Sequence, residues 1–115
     1  MDLREIQELA YTHAKATGWY EAFDAGSPEE AFPKLLMYVV TELAEAMEDW
    51  RKGAPIDEWH FDEQGKPQGI PTELADVVIW TASLAGRYGF DLDVAVQAKM
   101  AYNATRPKYH GSVRI

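Results

Sequence analysis

The chain has 115 residues, 47% of them hydrophobic, a formal net charge of −8 and no cysteine, which bounds it to a single domain, residues 1–115, with enough apolar mass for a core. The acidity excludes a general nucleic-acid or anionic-membrane binder, since both need a basic footprint. The absence of cysteine excludes disulfides and thiolate zinc sites and suits a reducing cytoplasm.

The start Met1-Asp2-Leu3-Arg4-Glu5 is charged and does not read as a signal peptide, and no apolar run approaches the ~18 residues of a membrane span. From about Leu3 to Thr17, apolar residues at Leu3, Ile6, Leu9 and Ala10 recur at helical spacing, and Gly18 supplies a stop. Ser27-Pro28-Glu29-Glu30 predicts a helix start, with a capping box from Ser27 to Glu30 and proline at the first helical position. Pro33 is expected to break this turn from a long helix that runs to about Lys52 and buries Leu36, Val39, Val40, Leu43, Met47 and Trp50. Trp59-His60-Phe61 and Lys66 to Ile70 flank the polar tip Asp62-Glu63-Gln64-Gly65, which predicts a short hairpin. A third helix is expected from Pro71-Thr72, with Thr72 as cap, to Gly89, burying Leu74, Val77, Val78, Thr81, Leu84 and Ala85. Asp91 opens a fourth that reaches Arg106 and stops at Pro107, and Lys108 to Ile115 is expected to form a tail or docking arm. The fold class is therefore all-α: a four-helix bundle with one hairpin between its second and third main helices.

The chemistry lies in two acidic pairs, Glu42-Leu43-Ala44-Glu45 and Glu73-Leu74-Ala75-Asp76. Residues three apart share a helix face, so each pair is a two-carboxylate claw. If the two helices pack side by side, four carboxylates converge, and their repulsion calls for a cation between them. Hard oxygen donors select Mg²⁺, with Mn²⁺ as a substitute. Glu73 and Asp76 near a helix start also suit the helix dipole, but Glu42 and Glu45 in mid-helix have no such explanation. On the fourth helix Lys99, Asn103 and Arg106 are spaced i, i+4, i+7, a cationic stripe suited to polyphosphate.

These residues resemble a known family, the MazG-like nucleoside triphosphate pyrophosphohydrolases of the all-α NTP pyrophosphatase superfamily. The family pattern is Glu-Glu-x-x-Glu, then Glu-x-x-Asp, then Lys-x-x-x-Asn-x-x-Arg on successive helices. It stands here as Thr41-Glu42-Leu43-Ala44-Glu45, Glu73-Leu74-Ala75-Asp76, and Lys99 through Asn103 to Arg106, within a resemblance covering about residues 33 to 110. Thr41 replaces the first glutamate, which is not one of the family's metal ligands. The resemblance implies Mg²⁺-dependent hydrolysis of a nucleoside triphosphate to the monophosphate and pyrophosphate. It implies Glu42, Glu45, Glu73 and Asp76 as metal ligands, and the cationic stripe as the phosphate holder.

Within that implied chemistry Glu45 is our choice for orienting the attacking water, beside Glu42. Trp80 is expected to offer a face to the base, with Trp19 or His13 closing the other side. Long apolar helices with little chain to cover them predict a homodimer or a dimer of dimers. The alternatives are a phosphoribosyl-ATP-type or alarmone pyrophosphohydrolase, or a non-enzymatic, metal-stabilised interaction module. A di-iron carboxylate bundle is excluded because the chain has no Glu-x-x-His motif.

Overall fold

Helix α1, Leu3–Ala16, begins with a reciprocal cap: Glu5 N donates to Asp2 Oδ1 at 2.9 Å while Asp2 N donates to the Glu5 carboxylate at 3.5 Å. The computed structural model describes residues 1–23 and 26–107. A short 3-10 turn, Trp19–Phe23, leads to α2, Pro28–Arg51, followed by β1, His60–Phe61, β2, Pro67–Gln68, α3, Ile70–Tyr88, and α4, Leu92–Thr105. The two strands pair antiparallel with His60 opposite Gln68 and Phe61 opposite Pro67. The protein is thus mostly helical, and among the described residues no helix is long and apolar enough to cross a membrane. The tail expected from Lys108 to Ile115 lies outside the described residues.

Two expected boundaries are corrected. Pro33 does not interrupt α2, which is continuous from Pro28. Its missing N–H leaves only the carbonyl of Glu29 without a helical donor, and Glu29 is exposed at the helix start where water serves. Thr72 is not the cap of α3; the helix begins at Ile70 after Gly69, and the Thr72 hydroxyl donates back to Gly69 O at 2.8 Å. Gly69 takes φ +131°, and a Cβ there would lie 2.6 Å from Glu58 O, so only glycine lets the chain turn from hairpin to helix this tightly.

Helix α3 is central. It packs along α1 on one side and α2 on the other, and its small residues make this possible: Ala82, Ser83 and Ala85 are fully buried. At Gly86 an added Cβ would meet Tyr11 Cβ at 2.5 Å. Around them sit Ala14, Tyr20, Ala31, Leu35 and Leu84, ringed by Tyr11, Trp19, Phe23, Val39, Trp80 and Tyr88. The Tyr20 and Ser83 hydroxyls are 2.6 Å apart, which satisfies both polar atoms inside this core.

The expected apolar stripe of α2 is rotated relative to the core, and that of α3 holds in its second half, where Leu84 and Ala85 are buried. Helix α2 buries Ala31, Leu35, Glu42 and Ala46, while Leu36, Val40, Leu43, Met47 and Trp50 are exposed; on α3, Leu74 and Val78 are exposed too. Nor is the bundle closed by a fourth helix. Helix α4 buries no residue and packs chiefly on α1, held where Arg4 bridges Asp91 and Asp93 and where Gln7 bonds Phe90 O and Leu92 N. The radius of gyration, 16.6 Å, exceeds the ~13 Å of a compact 100-residue domain accordingly.

Gly86→Ala is expected to lower stability by about 1–3 kcal/mol through overpacking against Tyr11. Urea unfolding monitored by circular dichroism reads this directly, and parental stability would mean that α1 and α3 do not approach as described.

Candidate metal centre

One end of the α2–α3 pair is fixed by Tyr88, whose hydroxyl donates to Pro28 O at 2.6 Å and whose ring meets Phe32. Glu42 lies fourteen residues along α2 from Pro28, and Glu73 and Asp76 lie fifteen and twelve residues back along α3 from Tyr88. At about 1.5 Å per residue the acids on both helices are therefore about 20 Å from the fixed end, and an antiparallel pair must bring them level. Carboxylate oxygens of Glu42, Glu73 and Asp76 all lie within 4.8 Å of one another, and Glu42 is only 7% exposed. Glu45, one turn further, lines the same pocket from its exposed rim.

The pocket has a volume of about 300 Å³ and is walled by these four acids with Tyr38, Trp80 and Thr72 from the helices and Lys66 and Pro67 from the hairpin. Burial and like charge raise the proton affinity of Glu42, Glu73 and Asp76. Desolvation, a hydrogen bond with Glu45 and the charges of Glu45, Glu42 and Asp49 push the Glu73 carboxyl up to about 7. Glu42 is raised by burial and by Glu45 and Asp76; Asp76 is raised by burial and Glu45, with Lys66 pulling the other way. Burial, then Glu42, Glu45 and Asp76, push the Tyr38 hydroxyl up as well. Of the three raised carboxyls Glu73 moves furthest, because burial and the neighbouring acids both favour its neutral form.

A hard divalent cation fits this donor set. The pocket offers carboxylate oxygens from two helices and no imidazole or thiolate ligand, and a cation would offset the repulsion among them. Glu42, Glu73 and Asp76 are close enough to share one ion, and Glu45 stands at the rim.

Trp80 lines the pocket, but Trp19 stacks directly on it, with centroids 4.2 Å apart and planes at 25°. No base fits between rings already in contact, so a base on Trp80 requires Trp19 to swing away. His13 is exposed on α1 and is not among the pocket-lining residues. Lys99 and Asn103 are exposed on α4, and Arg106 is half-buried there; Lys99 and Arg106 flank the Tyr102 ring at 5.9 and 5.6 Å. None of the three lines the pocket, because α4 packs on α1 and α3 stands between α1 and α2. The Thr41 hydroxyl donates to Tyr38 O at 2.6 Å and serves its own helix.

Sequence reasoning assigned no site role to Lys66, Tyr38 or Thr72. The available signal was weak: Tyr38 lies one turn before Glu42, and Lys66 closes a turn whose direction a short hairpin does not reveal. No protein-family model, curated protein or solved structure matches this chain.

With Glu73 raised from the usual 4.5 to about 7, the folded metal-free protein binds more protons than the unfolded chain between those values, and its stability falls as pH rises through that window. Melting temperatures of chelated protein should therefore rise from pH 8 to pH 5 by this contribution, and saturating Mg²⁺ should flatten the profile. Asp62 and Asp91, held below the usual range by hydrogen bonds, act in the opposite sense but only at lower pH. A chelated protein whose stability is level or rises across this window would contradict the buried cluster.

Proposed function

We propose that the protein is a Mg²⁺-dependent nucleoside triphosphate pyrophosphohydrolase, cleaving between the α and β phosphates to release the monophosphate and pyrophosphate. The observation that carries this reading is the convergence of Glu42, Glu73 and Asp76 beside Glu45, in a pocket that also contains an aromatic face and a lysine. Bound Mg²⁺ or Mn²⁺ would supply Lewis-acid polarisation of a phosphoryl oxygen and a lowered pKa for water.

The chain's own residues divide the remaining work. Glu42, Glu73 and Asp76 would hold the cation, with Glu42 set in the wall by packing. Glu45, exposed at the rim, orients the attacking water and takes its proton. Trp80 gives the base an apolar face once Trp19 moves. Tyr38 borders the acids and the indoles, packing edge-on against both rings.

The reading includes a homodimer or a dimer of dimers. On α2 the apolar Leu36, Val40, Leu43, Met47 and Trp50 are uncovered, and on α3 so are Leu74, Val78 and Ile79. Two almost wholly apolar grooves border α3, one containing Ile6, Leu9, Val78 and Ile79 and the other Leu43, Met47, Trp50 and Leu74. A second copy presenting the same faces satisfies both. The stripe Lys99, Asn103 and Arg106 belongs to this reading as a phosphate holder only when supplied by a neighbouring copy, since it does not line its own chain's pocket.

Activity is expected to vanish in excess EDTA and to return with Mg²⁺ or Mn²⁺. Glu45→Gln and Asp76→Asn should each lower turnover by ~10²-fold or more. Without metal both variants should melt at or above the parental temperature, because a like charge is gone. A panel of triphosphates with pyrophosphate and phosphate quantified separately is the measurement, and undiminished turnover in EDTA would remove the metal from the mechanism. In light scattering at micromolar concentration the protein should appear as a dimer or larger; a monomer would show that the apolar faces stay uncovered.

A further inference from the structure

The hairpin beside the pocket is held more firmly than a surface turn requires. One oxygen of the Asp62 carboxylate accepts from Gln64 N at 2.8 Å and Lys66 N at 2.9 Å, and the other accepts from the Gln68 side chain at 3.2 Å. The backbone closes the same turn, with Asp62 N donating to Lys66 O at 2.9 Å and Gly65, at φ +80°, donating to Asp62 O at 3.0 Å. At its base the hairpin is locked against α3 by the close approach of Gly69 to Glu58 and Trp59. Both ends of the loop are therefore set, and what it places in the pocket wall is Lys66, followed by Pro67.

Lys66 is the one cation among the residues lining the pocket, so four carboxylates face one ammonium, a formal charge of −3. Even with one divalent ion bound, the pocket would still carry a net negative charge, and a triphosphate would be repelled without a cation positioned to meet it. Lys66 lies near enough to Asp76 to act on its charge, yet among the described residues it closes no ion pair within 4.0 Å. The hairpin fixes its backbone, and its side chain lines the pocket beside the acids, with its charge acting on Asp62 as well as on Asp76.

We propose that Lys66, set over the carboxylate pocket by the Asp62-clamped hairpin, binds the phosphate chain of the nucleoside triphosphate, with Asp62 as its positioning residue. This rests on the hydrolase reading above and extends it: the phosphate-holding cation comes from the hairpin of the same chain that supplies the acids. A lysine contacting phosphate forms charge-assisted hydrogen bonds, which sets the size of the effect.

The test compares the parent with Lys66→Met, Lys66→Arg and Asp62→Ala in Mn²⁺, measuring KM and kcat for pyrophosphate release and, separately, Mn²⁺ binding without nucleotide. Lys66→Met should raise KM by ~10-fold or more with kcat within ~3-fold of the parent. Lys66→Arg should restore KM, and Asp62→Ala should raise it in the same direction. In the same Lys66→Met protein Mn²⁺ should bind more tightly, because a positive charge has left the ion's surroundings. A lysine that merely offsets repulsion among the acids would leave KM parental, and that result overturns the proposal; so does failure of Lys66→Arg to restore KM. Should the parent release pyrophosphate from no triphosphate, the hydrolase reading falls by itself. Binding of inorganic pyrophosphate to the Mn²⁺-loaded protein then decides on Lys66: ~10-fold weaker binding in Lys66→Met supports a phosphate contact, and equal binding refutes it.

Discussion

Glu42 cannot move away from Glu73 and Asp76, because the helix that carries it is held by packing on both sides of the acid. Leu35 and Ala46 are buried on the same face of α2, and at the far end Tyr88 ties α3 to the start of α2. Electrostatic repulsion between carboxylates is thus opposed by apolar packing and one fixed register, and together with burial it raises the proton affinity of Glu42, Glu73 and Asp76. Other features follow from this opposition. The small residues of α3 let its neighbours pack closely, and the tight turn at Gly69 and the clamped hairpin set Lys66 and Pro67 against the acids.

The same opposition accounts for the unusual distribution of apolar side chains. A helix has a limited arc with which to face its neighbour, and on α2 that arc is occupied by Ala31, Leu35, Glu42 and Ala46. The larger Leu43, Met47 and Trp50 are displaced to the outer arc. Placing a carboxylate in the interior in this way weakens the isolated domain, since burial of a charge is unfavourable and the displaced apolar area stays in water. A cation in the pocket and a partner on the outer face would each offset one of these costs.

Much of the fold was legible because its signals are local. The starts of α2 and α4, the stops at Gly18 and Gly89 and the hairpin about Gln64-Gly65 follow from caps and turns that act within a few residues. The pairing of Glu42 with Glu73 and Asp76 was legible for a different reason, the matched spacing of two acidic pairs. What was not legible depended on long-range geometry. Apolar spacing on α2 identified a stripe but not which arc of the helix its neighbours would cover. Lys99, Asn103 and Arg106 share a face of α4, yet nothing local says that α4 packs on α1 with α3 between it and α2. Pro33 read as a break because its missing donor is visible in sequence, whereas the exposure of Glu29 that makes the loss tolerable is not.

The stacked indoles of Trp19 and Trp80 have a consequence apart from chemistry. Two aromatic chromophores in face-to-face contact share their excited states, and the sign and strength of the resulting exciton couplet depend on their mutual orientation. Trp80 forms part of the pocket wall and Trp19 belongs to the 3-10 turn that leads from α1 toward α2. Any event that parts the rings collapses that couplet, so the protein carries an intrinsic, label-free optical gauge of whether Trp19 and Trp80 remain stacked.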